Sequence, residues 1–155
     1  MVKVLFVCLG NICRSPMAEA LFRDMVKREG LNSKIEVDSA GTGSWHIGSP
    51  PHKGTLKILD KYQIASEGLV ARSFKKEDAE DFDYIIGMDE SNLVNMRDIL
   101  GKPDHPKILR LLDLTDQKKD VPDPYLTGDF EETYELVTAG CRALLEIIKN
   151  ECSLN

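Results

Sequence analysis

The chain predicts a single α/β domain, residues 1–155, in which helices cover both faces of a four-stranded parallel sheet. Three observations carry this reading. Short apolar runs alternate with segments of helical periodicity, as strand–crossover–strand units require. The first run, Val4-Leu5-Phe6-Val7, is continuously apolar, as in a strand buried on both faces. The 155 residues are 42% hydrophobic and 30% charged, with scattered Pro and Gly and no internal repeat, which suits one globular domain without a linker.

The elements follow in order. Lys3 to Cys8 reads as the first strand. Ser15 is a good N-cap and Pro16 suits the first helical position, so a helix runs through Met17, Ala20, Leu21 and Met25 to a stop at Gly30. Ile35 to Ser39 forms a second strand, followed by a Gly-rich loop from Gly41 to Pro51. A helix over Lys53 to Tyr62 and a shorter one over Lys75 to Asp81 come next. Tyr84 to Met88 is the third strand. Asp89 then caps a helix through Leu93, Met96 and Leu100, which Gly101 and Pro103 end. Ile108 to Leu112 is the fourth strand, and Asp113 to Gly128 a loop. Phe130, Tyr134, Val137, Cys141, Leu144, Leu145 and Ile148 mark the apolar stripe of a long last helix.

Composition narrows the function classes. The net charge of −6 repels nucleic acid and membrane phosphates over most of the surface, so an anionic substrate needs a local positive pocket. Met1 to Val7 is too short for a signal-peptide core, and no stretch nears the roughly 18 apolar residues of a membrane span. A soluble, cytoplasmic protein is expected, with neither nucleic acid nor membrane as partner. The four cysteines, 8, 13, 141 and 152, form no C-x-x-C pair, and there are three histidines, so no metal site is expected. In a reducing compartment the cysteines are thiols. Ligands of open parallel sheets sit beyond the carboxyl ends of the strands, where Cys8 falls.

The turn after the first strand carries the chemistry. Cys8-Leu9-Gly10-Asn11-Ile12-Cys13-Arg14-Ser15-Pro16 joins strand to helix. Backbone N–H groups of such a turn point inward and, with the helix dipole, make a nest for an anion. Gly10 and Asn11 tolerate left-handed backbone angles. Arg14 offers a planar fork to two phosphate oxygens, and the same positive surroundings favour the thiolate of Cys8. Ser15 can donate its hydroxyl to that sulfur. Taken singly, Cys8 reads as a buried strand-end thiol and Arg14 as a surface helix residue; together, in this register, they read as a phosphate cradle beside a nucleophile.

Val7-Cys8-Leu9-Gly10-Asn11-Ile12-Cys13-Arg14-Ser15-Pro16-Met17-Ala18-Glu19-Ala20 resembles the signature of the low-molecular-weight protein tyrosine phosphatases. Asp38-Ser39-Ala40-Gly41-Thr42, the loop with Trp45, Met88-Asp89 and Asp123-Pro124-Tyr125 match that family in order along essentially the whole chain. The resemblance implies a phosphomonoesterase that needs no metal or cofactor. Its partners would be tyrosine-phosphorylated proteins or small aryl phosphates.

A leaving oxygen needs a proton, and a carboxylic acid is a suitable donor. Of Asp113, Asp116, Asp120 and Asp123, the last is held on both sides by Pro122 and Pro124. By sequence alone it reads equally as an Asp-Pro turn; the resemblance makes it the general acid. Trp45 is a core candidate by residue type, but its Gly/Ser/Pro loop suits an exposed binding role. The resemblance puts an aromatic of this loop and Tyr125 at the pocket mouth, walls that favour a long flat phosphotyrosine over phosphoserine. It also makes Leu9, Gly10, Asn11, Ile12, Cys13 and Ser15 the substrate cradle, braced by Asn11 and Ser39. Cys13 reads equally as a small buried residue or as a disulfide partner protecting Cys8. Cys141 and Cys152 read as structural. Leu126 stands where vertebrate members often have a second tyrosine.

Three rivals remain. Phosphoarginine phosphatases resemble this cradle but carry threonine where Ile12 stands, and a branched apolar side chain suits an aromatic ring. Arsenate reductases need a mid-chain thiol pair, and no cysteine lies between Cys13 and Cys141. A phosphocysteine carrier or phosphate-binding module needs neither Arg14 nor Asp123.

Overall fold

The computed structural model describes residues 1–102 and 108–154. Its four strands are β1 (Val2–Cys8), β2 (Ile35–Gly41), β3 (Tyr84–Gly87) and β4 (Ile108–Arg110). They form one sheet in the order β2-β1-β3-β4, with every neighbouring pair parallel. The apolar run of β1 therefore sits second in the sheet, between β2 and β3. Alternate residues of that run face opposite layers. Val4, Phe6 and Cys8 belong to one apolar cluster, with Phe22 and Val26 of α1 (Arg14–Arg28) and Val137, Leu144 and Ile148 of the last helix. Leu5 and Val7 belong to the other, with Phe74, Phe82, Leu93 and Met96. Burying each such Leu, Ile or Phe contributes about 1.5–3 kcal/mol, and the edge-on contact of Phe6 with Phe22, centroids 5.6 Å apart, adds to that.

Between the strands lie α1, α2 (Lys53–Lys61), α3 (Asp78–Asp81) and α4 (Glu90–Leu100), and after β4 come α5 (Pro124–Thr127) and α6 (Phe130–Glu151). The α1 helix ends as read. Gly30 takes a φ of 72°, its N–H bonds the carbonyl of Lys27, and that of Leu31 bonds Val26. Its start differs. The N-cap is Cys13, not Ser15, and Ser15 and Pro16 are the second and third helical residues. Pro16 still costs nothing, because first-turn N–H groups have no helical partner. The Ser15 hydroxyl is unavailable for capping because it turns to the Cys8 sulfur, 3.0 Å away.

Asp89 caps α4 as expected, its Oδ1 accepting the N–H of Asn92 at 2.7 Å in a full capping box. Gly101, at φ 68°, ends that helix; Pro103 lies outside the described residues. The fourth strand stops at Arg110, and Leu111–Leu114 form a 3₁₀ turn instead of continuing it. That turn buries Leu111 and Leu112 while the carboxylate of Asp113 pairs with Arg110. The Lys75–Asp81 helix shrinks to α3, whose first residue, Asp78, is recruited by Arg72 and by the N–H of Lys75. The late loop contains α5, for which Asp123 is the N-cap. Among the described residues, no helix is long and apolar enough to cross a membrane.

Candidate active site

The turn from β1 to α1 closes over the end of β2. Cys8 is opposite Gly41 in the sheet, and Thr42 and Gly43 donate their N–H groups to the carbonyls of Cys8 and Leu9 at 2.9 and 2.8 Å. This approach requires glycine at 41. A Cβ there would lie 2.9 Å from the Leu9 oxygen and 3.1 Å from Asn11 N. Only Asn11 of the turn has a left-handed backbone, with φ 55°. The expectation for Gly10 is thus corrected: its φ is not left-handed, and a Cβ there would make a tight contact, 3.2 Å, with His46 Cδ2. The His52 N–H, donated to the Ile12 carbonyl at 2.7 Å, and the Thr55 hydroxyl, donated to that of Cys13 at 3.0 Å, hold the outer side of the turn.

Within this frame the side chains form a directed network. The amide oxygen of Asn11 accepts the N–H of Arg72 at 3.0 Å, which leaves its Nδ2 to donate to Ser15 Oγ at 2.7 Å and Ser39 Oγ at 3.0 Å. Ser39 donates to Glu19 Oε1 at 2.6 Å. Ser15 Oγ faces the Cys8 sulfur, which also receives the Ser15 N–H at 3.5 Å. The structure thus brings Asn11, Ser15 and Ser39 together behind Cys8.

Arg14 is almost fully buried and held by one nitrogen. Its Nη1 donates to Asp89 Oδ2 at 2.6 Å and to the carbonyl of Val121 at 2.9 Å. Its Nη2 lies 3.6 Å from Asp123 Oδ2. Burial acts to raise the Asp89 carboxyl, but the bond and charge of Arg14 outweigh it and hold that group below its ordinary range. Asp123 is anchored in turn: its Oδ1 accepts the N–H of Tyr125 at 3.0 Å.

These groups open into one cavity of about 270 Å³, lined by Cys8, Leu9, Gly10, Ile12, Cys13, Arg14, Trp45, His46, Asp123 and Tyr125. Trp45 is 71% exposed and Tyr125 61%, so the lone tryptophan is a rim residue and not core. Its ring lies against Gly43, where a Cβ would meet it at 1.9 Å, and Tyr125 meets His52 edge-on at 5.9 Å between centroids. Cys13 is buried, and burial together with the neighbouring Cys8 pushes its thiol up to about 12. Cys141 is fully buried on the α6 stripe, and Cys152 half-buried after it.

Sequence reasoning missed four parts of this site. Asp89 reads as a helix cap, and its second bond to Arg14 spans 75 residues. Glu19 carries no signal in its own helix except that it falls among residues the stripe buries. Arg72 and His46 sit in loops, with no pattern tying them to the cradle. A cavity lined by a buried thiol and an arginine, with a carboxylate 3.6 Å from that arginine, is chemically suited to a phosphate ester.

The family model for low molecular weight phosphotyrosine protein phosphatase matches residues 3–154. The chain belongs to that family. A relative from Bacillus subtilis (strain 168), the low molecular weight protein-tyrosine-phosphatase YfkJ, is 52% identical over 156 residues, covering 99% of this phosphatase and 100% of the relative. The crystal structure of YfkJ matches with a TM-score of 0.95 over 97% of this chain and 96% of that one. The low molecular weight protein-tyrosine-phosphatase PtpA of Staphylococcus epidermidis is 47% identical, covering 99% and 98%. A Drosophila arginine phosphatase, 33% identical, matches at TM-score 0.85 over 96% of this phosphatase and 98% of its own chain. The single-domain α/β fold and the cysteine-dependent protein-tyrosine-phosphatase class are those of the family.

Proposed function

We propose that this chain, as one catalytic domain over residues 1–155, hydrolyses phosphotyrosine and other aryl phosphates through a phosphocysteine on Cys8. The convergence of Cys8, Arg14 and Asp123 on one cavity supports the reading. Phosphate enters the cradle of residues 9–15, and Arg14 offers it the edge not tied to Asp89 and Val121. The Cys8 sulfur attacks phosphorus, the P–O bond to the ring breaks, and protonated Asp123 gives its proton to the phenol oxygen. In the second step the Asp123 carboxylate takes a proton from water, the water oxygen attacks phosphorus, and the S–P bond breaks. The sulfur leaves as a thiolate that the Ser15 hydroxyl stabilises. Trp45 and Tyr125 flank the ring at the mouth, and Ile12 lies along it. Four thiols suit a cytoplasmic enzyme, where they stay reduced.

The test is metal-free turnover of phosphotyrosine and phosphoarginine peptides, by wild type, Ile12→Thr and Asp123→Ala. A preference for phosphotyrosine that weakens in Ile12→Thr is expected, with a loss of roughly 10²–10⁴-fold in Asp123→Ala. Wild-type preference for phosphoarginine would overturn the substrate, and near-wild-type turnover by Asp123→Ala would overturn the acid.

A further inference from the structure

Behind the nucleophile lies a buried carboxylate that the two-step reaction does not use. Glu19 is on the second turn of α1, 8% exposed, and its Oε1 accepts the Ser39 hydroxyl at 2.6 Å, a short bond of the kind an ionised acceptor makes. No arginine or lysine forms an ion pair with it among the described residues. Of the charged groups around it, Asp38 of β2 opposes its charge, while Arg23 of α1 and Arg72 favour it from a distance. Arg72 is itself committed to Asp38 and Asp78. Burial raises the carboxyl to about 7, so charge at this position comes at the expense of the fold.

The direction of every hydrogen in the network follows from that one acceptor. Ser39 spends its only proton on Glu19, so toward Asn11 it acts as an acceptor. Asn11 cannot rotate its amide, because its oxygen holds the Arg72 N–H, so its two N–H groups go to Ser39 and Ser15. Ser15 then accepts from Asn11, and of the two acceptors left for its own proton the sulfur, at 3.0 Å, is nearer than the Ala40 carbonyl, at 3.4 Å. A thiolate has no proton to give, so this last bond runs from serine to sulfur. Four residues from three segments make one oriented chain ending on the atom that must leave as an anion.

We propose that Glu19 is a positioning residue for the second chemical step: through Ser39 and Asn11 it fixes the Ser15 hydroxyl as a donor to the departing Cys8 sulfur. The inference rests on the phosphocysteine reading. Its effect belongs to breakdown of the intermediate, where the S–P bond breaks and negative charge returns to sulfur. Formation of the intermediate, in which that charge is spent, gains nothing from the donor. The chain therefore acts on kcat and not on substrate capture.

The experiment is steady-state and rapid-mixing kinetics on an aryl phosphate, at pH 7.5–8, with wild type, Glu19→Gln, Ser39→Ala and the double variant. Glu19→Gln keeps the volume and an acceptor but removes the charge. It is expected to lower kcat about tenfold, the order of one charge-assisted hydrogen bond, with KM unchanged or lower. A burst of phenol with phosphorylated Cys8 accumulating should accompany this. Ser39→Ala should show the same split, and the double variant should be no slower than the slower single one, because both changes cut one chain. A merely structural role would lower stability without a burst, so urea midpoints are read in parallel, and Glu19→Gln should match or exceed wild type. Unchanged kcat in Glu19→Gln, or additive losses in the double variant, would overturn the proposal. Absence of any phosphocysteine in wild type would instead overturn the reading beneath it.

Discussion

Asp89 has two duties that substitution can separate. Its Oδ2 takes Arg14 Nη1 at 2.6 Å, and its Oδ1 caps α4 at 2.7 Å. Replacing it by alanine loses a cap, about 1 kcal/mol, and strands a buried guanidinium. The latter costs 3–5 kcal/mol when one partner is removed. The low end applies, because Arg14 keeps the Val121 carbonyl and Asp123 at 3.6 Å. Asp89→Ala should thus destabilise the protein by about 4 kcal/mol, a fall in Tm of roughly 8–16 °C at 2–4 °C per kcal/mol. Asp89→Asn keeps the cap and an acceptor while losing the charge, so about 2 kcal/mol is expected. Because the Asp89 carboxyl is held below its ordinary value of 3.8, the contribution of the pair is present above that pH and fades as pH falls below it. Arg14 without its charged anchor, held at Nη1 by neutral oxygens alone, should also bind phosphate more weakly, so competitive inhibition by inorganic phosphate should weaken about tenfold in both variants. The assays are thermal unfolding and inhibition by phosphate. If alanine and asparagine lose equally, the cap has no separate value. If phosphate affinity is unchanged in both, Asp89 does not pose Arg14, and the reasoning fails.

Two further outcomes follow from the structure. Glu19 is raised from 4.5 to about 7, so stability linked to it is complete below about 4.5 and is lost as pH rises through about 7; urea unfolding of Glu19→Gln should lack this slope and exceed wild type by up to about 3 kcal/mol at pH 8. Gly41→Ala forces a methyl against the Leu9 carbonyl at 2.9 Å, so the cradle must shift, and kcat/KM on an aryl phosphate should fall at least about 10²-fold while the far-ultraviolet spectrum stays native.

What the sequence made legible was local. Strand, turn and helix from Val2 to Arg28 are contiguous, so apolar run, Gly-Asn turn and helical stripe announce them together. Trp45 was readable as exposed because its loop is rich in Gly, Ser and Pro, its place at the rim came from the family resemblance, and Asp89 was readable as a cap because its partner lies three residues on. The misreadings have a common cause in competition for a side chain. Ser15 has the residue type of a cap, yet the sulfur and Asn11 claim its hydroxyl. Asp113 belongs to a turn that ends β4 two residues early, because Arg110 pairs with its carboxylate. Contacts spanning tens of residues, Arg14 to Asp89, Asn11 to Arg72 and Ser39 to Glu19, leave no trace in a period or a spacing. They exist only once the sheet order is known.

Asp123, the proposed acid, travels on a segment already docked. Immediately before Pro122, Val121 donates its N–H to the Met88 carbonyl at 2.9 Å and gives its own carbonyl to Arg14 at 2.9 Å, so the strap is stitched to the residue that follows β3 and to the Arg14 guanidinium at one residue. Such an enzyme has little shutter to work between substrate arrival and proton transfer. Its rate should then be set by bond-making and bond-breaking, with small sensitivity to solvent viscosity, and its selectivity by the shape of a standing doorway in place of a door that closes.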